Sequence, residues 1–124
     1  MKINTYKDLI AWQKAIHLTK EVYKISSTLP ESEKFNLVSQ MNRAVVSVPS
    51  NIAEGWGRQS NNSYLHFLKI ARGSLYELET QTILLKELKF FTEEKLTTIF
   101  ELITEVIKIL NGLIKSIQTQ MTDC

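Results

Sequence analysis

Cysteine is almost missing from this chain: a single residue, Cys124, stands at the last position. One thiol closes no intrachain disulfide, so no disulfide framework exists and the fold has to rest on packing. Such sparing use suits a reducing compartment. Long apolar runs are missing too. No window reaches the ~18 uncharged apolar residues of a spanning helix, and the stretch from Met1 to Asp8 holds no apolar run of signal length. The expectation is a soluble, cytoplasmic protein with no membrane partner. Charge of one sign is scarce as well: the net charge is +2, too small to advertise nucleic-acid binding. It is mildly uneven, with eight Lys/Arg against five Asp/Glu in residues 1–58 and seven against eight in residues 59–124. Finally there are only two prolines and four glycines, and half of the glycines and one proline fall within a dozen residues, Ser47 to Arg58. Helices avoid both residue types unless a bend or a stop is wanted.

What is present reads as helix throughout. The 124 residues make one domain, 1–124, with 44% hydrophobic and 23% charged residues, ordinary values for a soluble globular chain. Thr5, with Asp8 three residues on, caps a first helix whose apolar residues include Leu9, Trp12, Ala15, Ile16, Thr19, Val22 and Tyr23. Ile10, Leu18 and Ile25 widen this stripe beyond one seam, a surplus that predicts an exposed patch and hence self-assembly. Pro30 ends the helix at or before Leu29, and Pro30 to Glu33 reads as a short helical turn. Asn36 is the expected N-cap of helix two, with a stripe of Val38, Met41, Val45, Val48, Ile52 and Trp56. Pro49 predicts a kink near Val45–Pro49, because it withholds the N–H that Val45 would accept. Gly55 and Gly57 mark the helix end. After a polar link, 59–63, helix three carries Tyr64, Phe67, Leu68, Ala71, Leu75, Leu78, Leu85 and Leu88, and its small pair Gly73-Ser74 predicts close approach by a neighbour. Thr92 caps helix four, where Leu96, Ile103, Leu110 and Ile117 recur at seven-residue spacing with Ile99, Val106 and Leu113 between them. Short links make the helices antiparallel. The fold class is therefore all-α: an up-down-up-down four-helix bundle, its helices roughly 20–26 residues long and ~30–39 Å at 1.5 Å per residue.

Catalytic and cofactor chemistry find no constellation here. The bundle lacks the Glu-x-x-His pairs of a di-metal site; His17 and Glu21 lie one turn apart without a matching pair elsewhere, and no metal or cofactor is expected. Gly55-Trp56-Gly57-Arg58 follows a helix and lacks the Gly-Lys-Ser/Thr of a phosphate loop. No nucleophile elbow occurs around Ser74. Arg58 and His66 form a loose match to the Arg–His spacing of small helical ribonucleases. The notable cations are Arg43, Arg58, Lys69 and Arg72. All three arginines sit in the middle of the chain, and the other twelve cations are lysines. One reading makes these four a phosphate-binding patch. The other makes a structural polar network of Arg43, Asn51, Glu54, Arg72 and Glu77, with a buried Arg43–Glu54 pair, since arginine suits buried bidentate pairing. Arg58, beside two glycines and a polar link, is the better candidate for an external ligand. Trp12 and Trp56 either stack on bases or pack in a core or subunit interface, which their helical spacing favours.

Three segments in order resemble a known family: Asp8-Leu9-Ile10-Ala11-Trp12-Gln13-Lys14-Ala15, Pro49-Ser50-Asn51-Ile52-Ala53-Glu54-Gly55, and the run from Phe67 to Glu79. The chain, over about residues 6–91, is similar to the bacterial four-helix bundle proteins first noticed in intervening sequences of large-subunit ribosomal RNA genes. That resemblance implies a left-handed bundle assembling into a ring-like homopentamer, with no enzymatic activity established; the old "ribosomal protein" label follows gene location rather than chemistry. Accessory proteins of diversity-generating retroelements look similar and bind nucleic acid and a reverse transcriptase. Two positions depart from the family pattern, Asn36 for a common glycine and Asn42, before Arg43, for the first of two arginines. The missing cation and the low net charge set this chain apart from the retroelement proteins. The resulting expectation is a non-enzymatic, homo-oligomeric scaffold, a pentamer, that binds RNA or a nucleic-acid-handling partner. A purely protein-binding assembly and a small ribonuclease are the alternatives.

Overall fold

The computed structural model describes residues 2–122; Cys124 lies outside them. Four α-helices account for most of it: α1 Ile10–Ser26, α2 Ser39–Gly57, α3 Asn61–Glu87 and α4 Glu93–Thr122. Their lengths, from 17 to 30 residues, spread wider than the sequence suggests. Each helix packs on its neighbours in sequence, and α1 also packs on α4. The cyclic order α1–α2–α3–α4 follows, with the α1–α2 edge opposite the α3–α4 edge. This is the antiparallel up-down-up-down bundle.

The core follows from the apolar spacing. On α4, Leu96, Ile103 and Leu110 are fully buried and Ile117 nearly so. On α2, Met41, Val45, Val48 and Ile52 are fully buried. Helix α1 is rotated from the expected setting. Ala11, Ala15, Leu18, Val22 and Ile25 form its core face, so Leu18 and Ile25 belong to the core rather than to an exposed surplus. Two alanines at the seam let α1 approach closely, and the bulky Trp12 and Ile16 turn aside, half-buried. Of the residues assigned to the surplus, Ile10 is the one left well exposed.

The helix ends follow capping chemistry with several shifts. Thr5 and Asp8 do form a capping box, but it closes a separate 3-10 turn, Tyr6–Asp8, and α1 begins after Leu9, whose backbone is extended. Asn36 does not cap α2. It lies inside a π-helical turn, Lys34–Val38, that follows a 3-10 turn at Glu31–Glu33 and runs into α2, with its Nδ2 donating to the Ser32 carbonyl at 3.3 Å. Helix α2 then continues unbroken through Pro49 to Gly57. Ser60 caps α3, accepting from the Ser63 N–H, so the expected polar link shrinks to three residues. Neither Gly55 nor Gly57 takes a left-handed backbone; that role falls to Gln59, at φ 58°. Leu88, expected in the stripe of α3, lies just past its end and is exposed. There Lys89, at φ 65°, completes a Schellman cap: Phe90 N–H donates to the Leu85 carbonyl at 2.9 Å and Lys89 N–H to that of Lys86 at 3.0 Å.

Side-chain ties cross every seam of the bundle. Ser26 Oγ donates to Asn42 Oδ1 at 2.9 Å between α1 and α2, and Ser74 Oγ donates to Ser47 Oγ at 2.8 Å between α2 and α3. Arg72 reaches Asn111 between α3 and α4 at 2.9 Å, and Lys14 pairs with Glu105 between α1 and α4 at 3.0 Å. Asn42, one of the two departures from the family pattern, thus has a structural task of its own.

Candidate functional site

The α2–α3 turn is built around one close approach. A Cβ on Gly55 would lie 2.8 Å from Phe67 Cβ and 3.1 Å from the Tyr64 ring, so only glycine lets α3 start against α2 at this height. Burial in that contact pushes the Tyr64 phenol above its ordinary pKa. Beside it, Arg58 Nε donates to Glu54 Oε2 at 3.0 Å, and its guanidinium lies 5.0 Å from the Phe67 ring centroid. Both partners of this ion pair are about half exposed, at 54% and 52%. Pairs in that setting are worth at most about 1 kcal/mol, so Glu54 is a weak competitor for any stronger anion.

The remaining expected residues do not form one network. Among the described residues no ion pair joins Arg43 to Glu54. Both lie on α2, eleven residues and hence about 16 Å apart along the axis, and both are exposed. Arg72 bonds Asn111, and Glu77 accepts from Gln81 Nε2 at 3.3 Å. Asn51 Nδ2 donates to the Ser47 carbonyl at 2.8 Å and to Ser47 Oγ at 2.9 Å. The polar network at the α2–α3 seam is therefore the uncharged trio Ser47, Asn51 and Ser74. Lys69 and His66 are exposed on the first turns of α3. Trp12 and Trp56 are half-buried and linked through Tyr6, whose ring meets theirs edge-on at centroid distances of 5.4 and 6.5 Å; they hold the N-terminal turn to the bundle. His17 is exposed, and Glu21 bonds Lys24 at 2.9 Å, which holds its carboxyl below the usual value. Among the described residues no three His, Cys, Asp or Glu side chains gather as metal ligands.

The bundle brings together something that a count along the chain hides. Residues 55–76 contain no Asp or Glu but hold Arg58, Lys69 and Arg72; residues 106–122 contain none and hold Lys108 and Lys115; the first twenty residues hold four lysines and Asp8 as their sole acid. Antiparallel folding places these stretches at one end, formed by the N-terminal turn, the α2–α3 turn and the last turns of α4. Among the described residues, the acids there are engaged: Asp8 accepts from the N–H groups of Asn4 and Thr5 at 2.9 and 3.2 Å, and Glu54 holds Arg58. Lys2, Lys7, Lys69 and Lys115 are exposed beside them. The acids Glu31, Glu33, Glu77, Glu79, Glu87, Glu93 and Glu94 lie in the opposite half, among its lysines. Comparing the first and second halves of the chain averages each helix over both ends. The distribution of acids within each helix is the signal that shows the polarity.

The family model of the 23S rRNA-intervening sequence protein matches residues 7–112. A solved structure of a protein of unknown function from the S23 ribosomal protein family of Bacteroides thetaiotaomicron superposes with a TM-score of 0.77 at 27% identity, covering 86% of this chain and 99% of that one. No curated protein matches the chain. The three sequence segments, the Gly55 contact and the bundle that they build thus agree with a match that spans nearly the whole molecule, and the chain belongs to the 23S rRNA-intervening sequence protein family.

Proposed function

We propose that this protein is a non-enzymatic, homo-oligomeric scaffold of the cytoplasm that binds RNA, with phosphates held at the cationic end of the bundle. The observation that carries this reading is the segregation of charge: exposed Lys2, Lys7, Lys69 and Lys115 and the half-exposed Arg58 share an end where, among the described residues, the acids Asp8 and Glu54 are already bonded. A small net charge conceals such a patch, because phosphate contacts respond to the local potential rather than to the total. Arg58 is the best placed of these for a phosphate, with a guanidinium that offers several donors in a plane. Lys69 adds a point charge, whereas Arg72 is tied to Asn111 and Arg43 stands toward the other end of α2.

Titration of a structured RNA against the protein at rising salt tests the reading. Phosphate contacts release counterions, so affinity should fall steeply between ~50 and 200 mM salt. The double variant Lys69→Glu, Lys115→Glu should bind at least about tenfold more weakly at the low-salt end. Failure of the wild-type protein to bind at low salt overturns the proposal. The protein-binding scaffold then takes its place, favoured by the apolar groove between α1 and α2 and by exposed Phe35, Leu84 and Leu88 at the other end of the bundle.

A further inference from the structure

The cationic end carries planar side chains among its charges. Phe67 is half-buried, and its Cβ is seated against Gly55, so the root of the ring is fixed on α2. Two planar groups flank that ring. The Arg58 guanidinium lies over it, 5.0 Å from the centroid, and the His66 imidazole meets it edge-on at 5.2 Å and 74°. Arg58 ends α2 in helical backbone just before Gln59, whose positive φ turns the chain into α3. The turn therefore sets its position, and the bond from Nε to Glu54 sets its direction. The Arg58 side chain still keeps about half of its surface in solvent, and His66 is exposed. Lys69 follows His66 by one turn of α3, which puts an ammonium on the same side.

The other rings of this end are spent differently. Tyr6 packs on Trp12 and Trp56, and the Lys7 ammonium covers Tyr6 at 5.9 Å. Holding phosphates needs charge alone. A guanidinium backed by a fixed ring, beside an exposed imidazole, is in addition a stacking surface, and only a base with a free face can use it. In an A-form duplex each base face is covered by its neighbours, whereas single strands, loops and bulges leave faces free.

We infer that this end takes RNA in unpaired form: one base stacks on the Arg58 guanidinium, which itself lies over Phe67, His66 offers a second planar contact, and a flanking phosphate lies on Lys69. The inference rests on the RNA reading above and names the class of RNA that the site accepts. Coulomb attraction by itself points the other way, because a duplex sets more phosphates along a given length than a single strand does. A preference for the single strand is thus the mark of stacking.

Fluorescence anisotropy at ~50 mM salt tests this with two probes: an RNA of about 16 nucleotides without self-structure, and the same strand annealed to its complement. The wild-type protein should bind the single strand at least about tenfold more tightly than the duplex. Arg58→Lys keeps the charge and removes the plane, and His66→Ala removes the second ring. Each should lower that ratio at least about fivefold, whereas His66→Phe, which restores a ring, should recover it. All these positions are exposed, and unchanged helical circular dichroism checks folding. Binding of neither probe overturns the RNA reading itself, and this inference with it. A duplex bound as tightly as the single strand, or a wild-type ratio kept in both Arg58→Lys and His66→Ala, overturns the stacking assignment alone.

Discussion

The four glycines of this chain are not equivalent, and their differences decide how substitutions act. At Gly55 an added methyl meets Phe67 Cβ at 2.8 Å and the Tyr64 carbonyl at 3.3 Å. The first neighbour is the root of a side chain and the second is backbone, so neither yields without moving α3. Gly55→Ala should cost about 1–3 kcal/mol, the range of an overpacked contact. Gly73 is the opposite case. It is exposed, lies in the interior of α3, and an added Cβ there meets nothing within 4 Å. The close neighbour expected from Gly73-Ser74 is made by Ser74 alone, through its bond to Ser47. Gly73→Ala should therefore stabilise the protein by about 0.5–1 kcal/mol, through the smaller entropy lost on folding. Urea denaturation of the two variants measures both, and the signs of the two changes should differ.

At the scale of the elements, the α2–α3 seam shows what holds the register. Ser47 Oγ accepts from Ser74 across the seam and from Asn51 along α2. Partly buried neutral hydrogen bonds contribute about 1 kcal/mol each, so Ser74→Ala should cost about that much. Ser47→Ala should cost more, because it leaves two donors short of an acceptor. In a double-mutant cycle the two changes should together cost less than their sum, by about 0.5–1 kcal/mol; strict additivity would mean that the bond contributes nothing. Much at this scale was legible in the sequence. The seven-residue repeat of Leu96, Ile103, Leu110 and Ile117 is buried as its spacing demands, and the order and antiparallel sense of the helices follow from short links. What was not legible was rotation and exact capping. In α1 both faces are apolar, so spacing alone does not tell Leu18 and Ile25, in the core, from Trp12 and Ile16, turned toward the groove; the small Ala11 and Ala15 decide it by allowing closer packing. At the start of α2, an Asn read as a cap lies instead in a π-helical turn, because the helical run had already begun at Glu31. Arg43 and Glu54 looked like partners by charge, yet their places on a single helix keep them three turns apart.

For the whole molecule the decisive property is where charge sits rather than how much there is. The net value of +2 combines an end rich in cations and poor in free acids with a half in which glutamates stand among lysines. This makes a prediction that composition alone does not. Charge reversal at Lys69 and Lys115 and charge reversal at Lys89 and Lys95 change the net charge by the same amount, but the first pair lies in the acid-free stretches and the second lies around the α3–α4 turn at the other end. A diffuse, nonspecific attraction to RNA weakens equally in both variants. Phosphates held at the cationic end weaken in the first alone. Each phosphate contact removed also lowers the slope of log affinity against log salt by about 0.7–0.9, so the first variant should lose up to two such steps while the second keeps the wild-type slope. Measuring both slopes in one RNA titration series separates local recognition from net charge. Equal losses in the two variants would sink the assignment of the binding end while leaving the fold untouched.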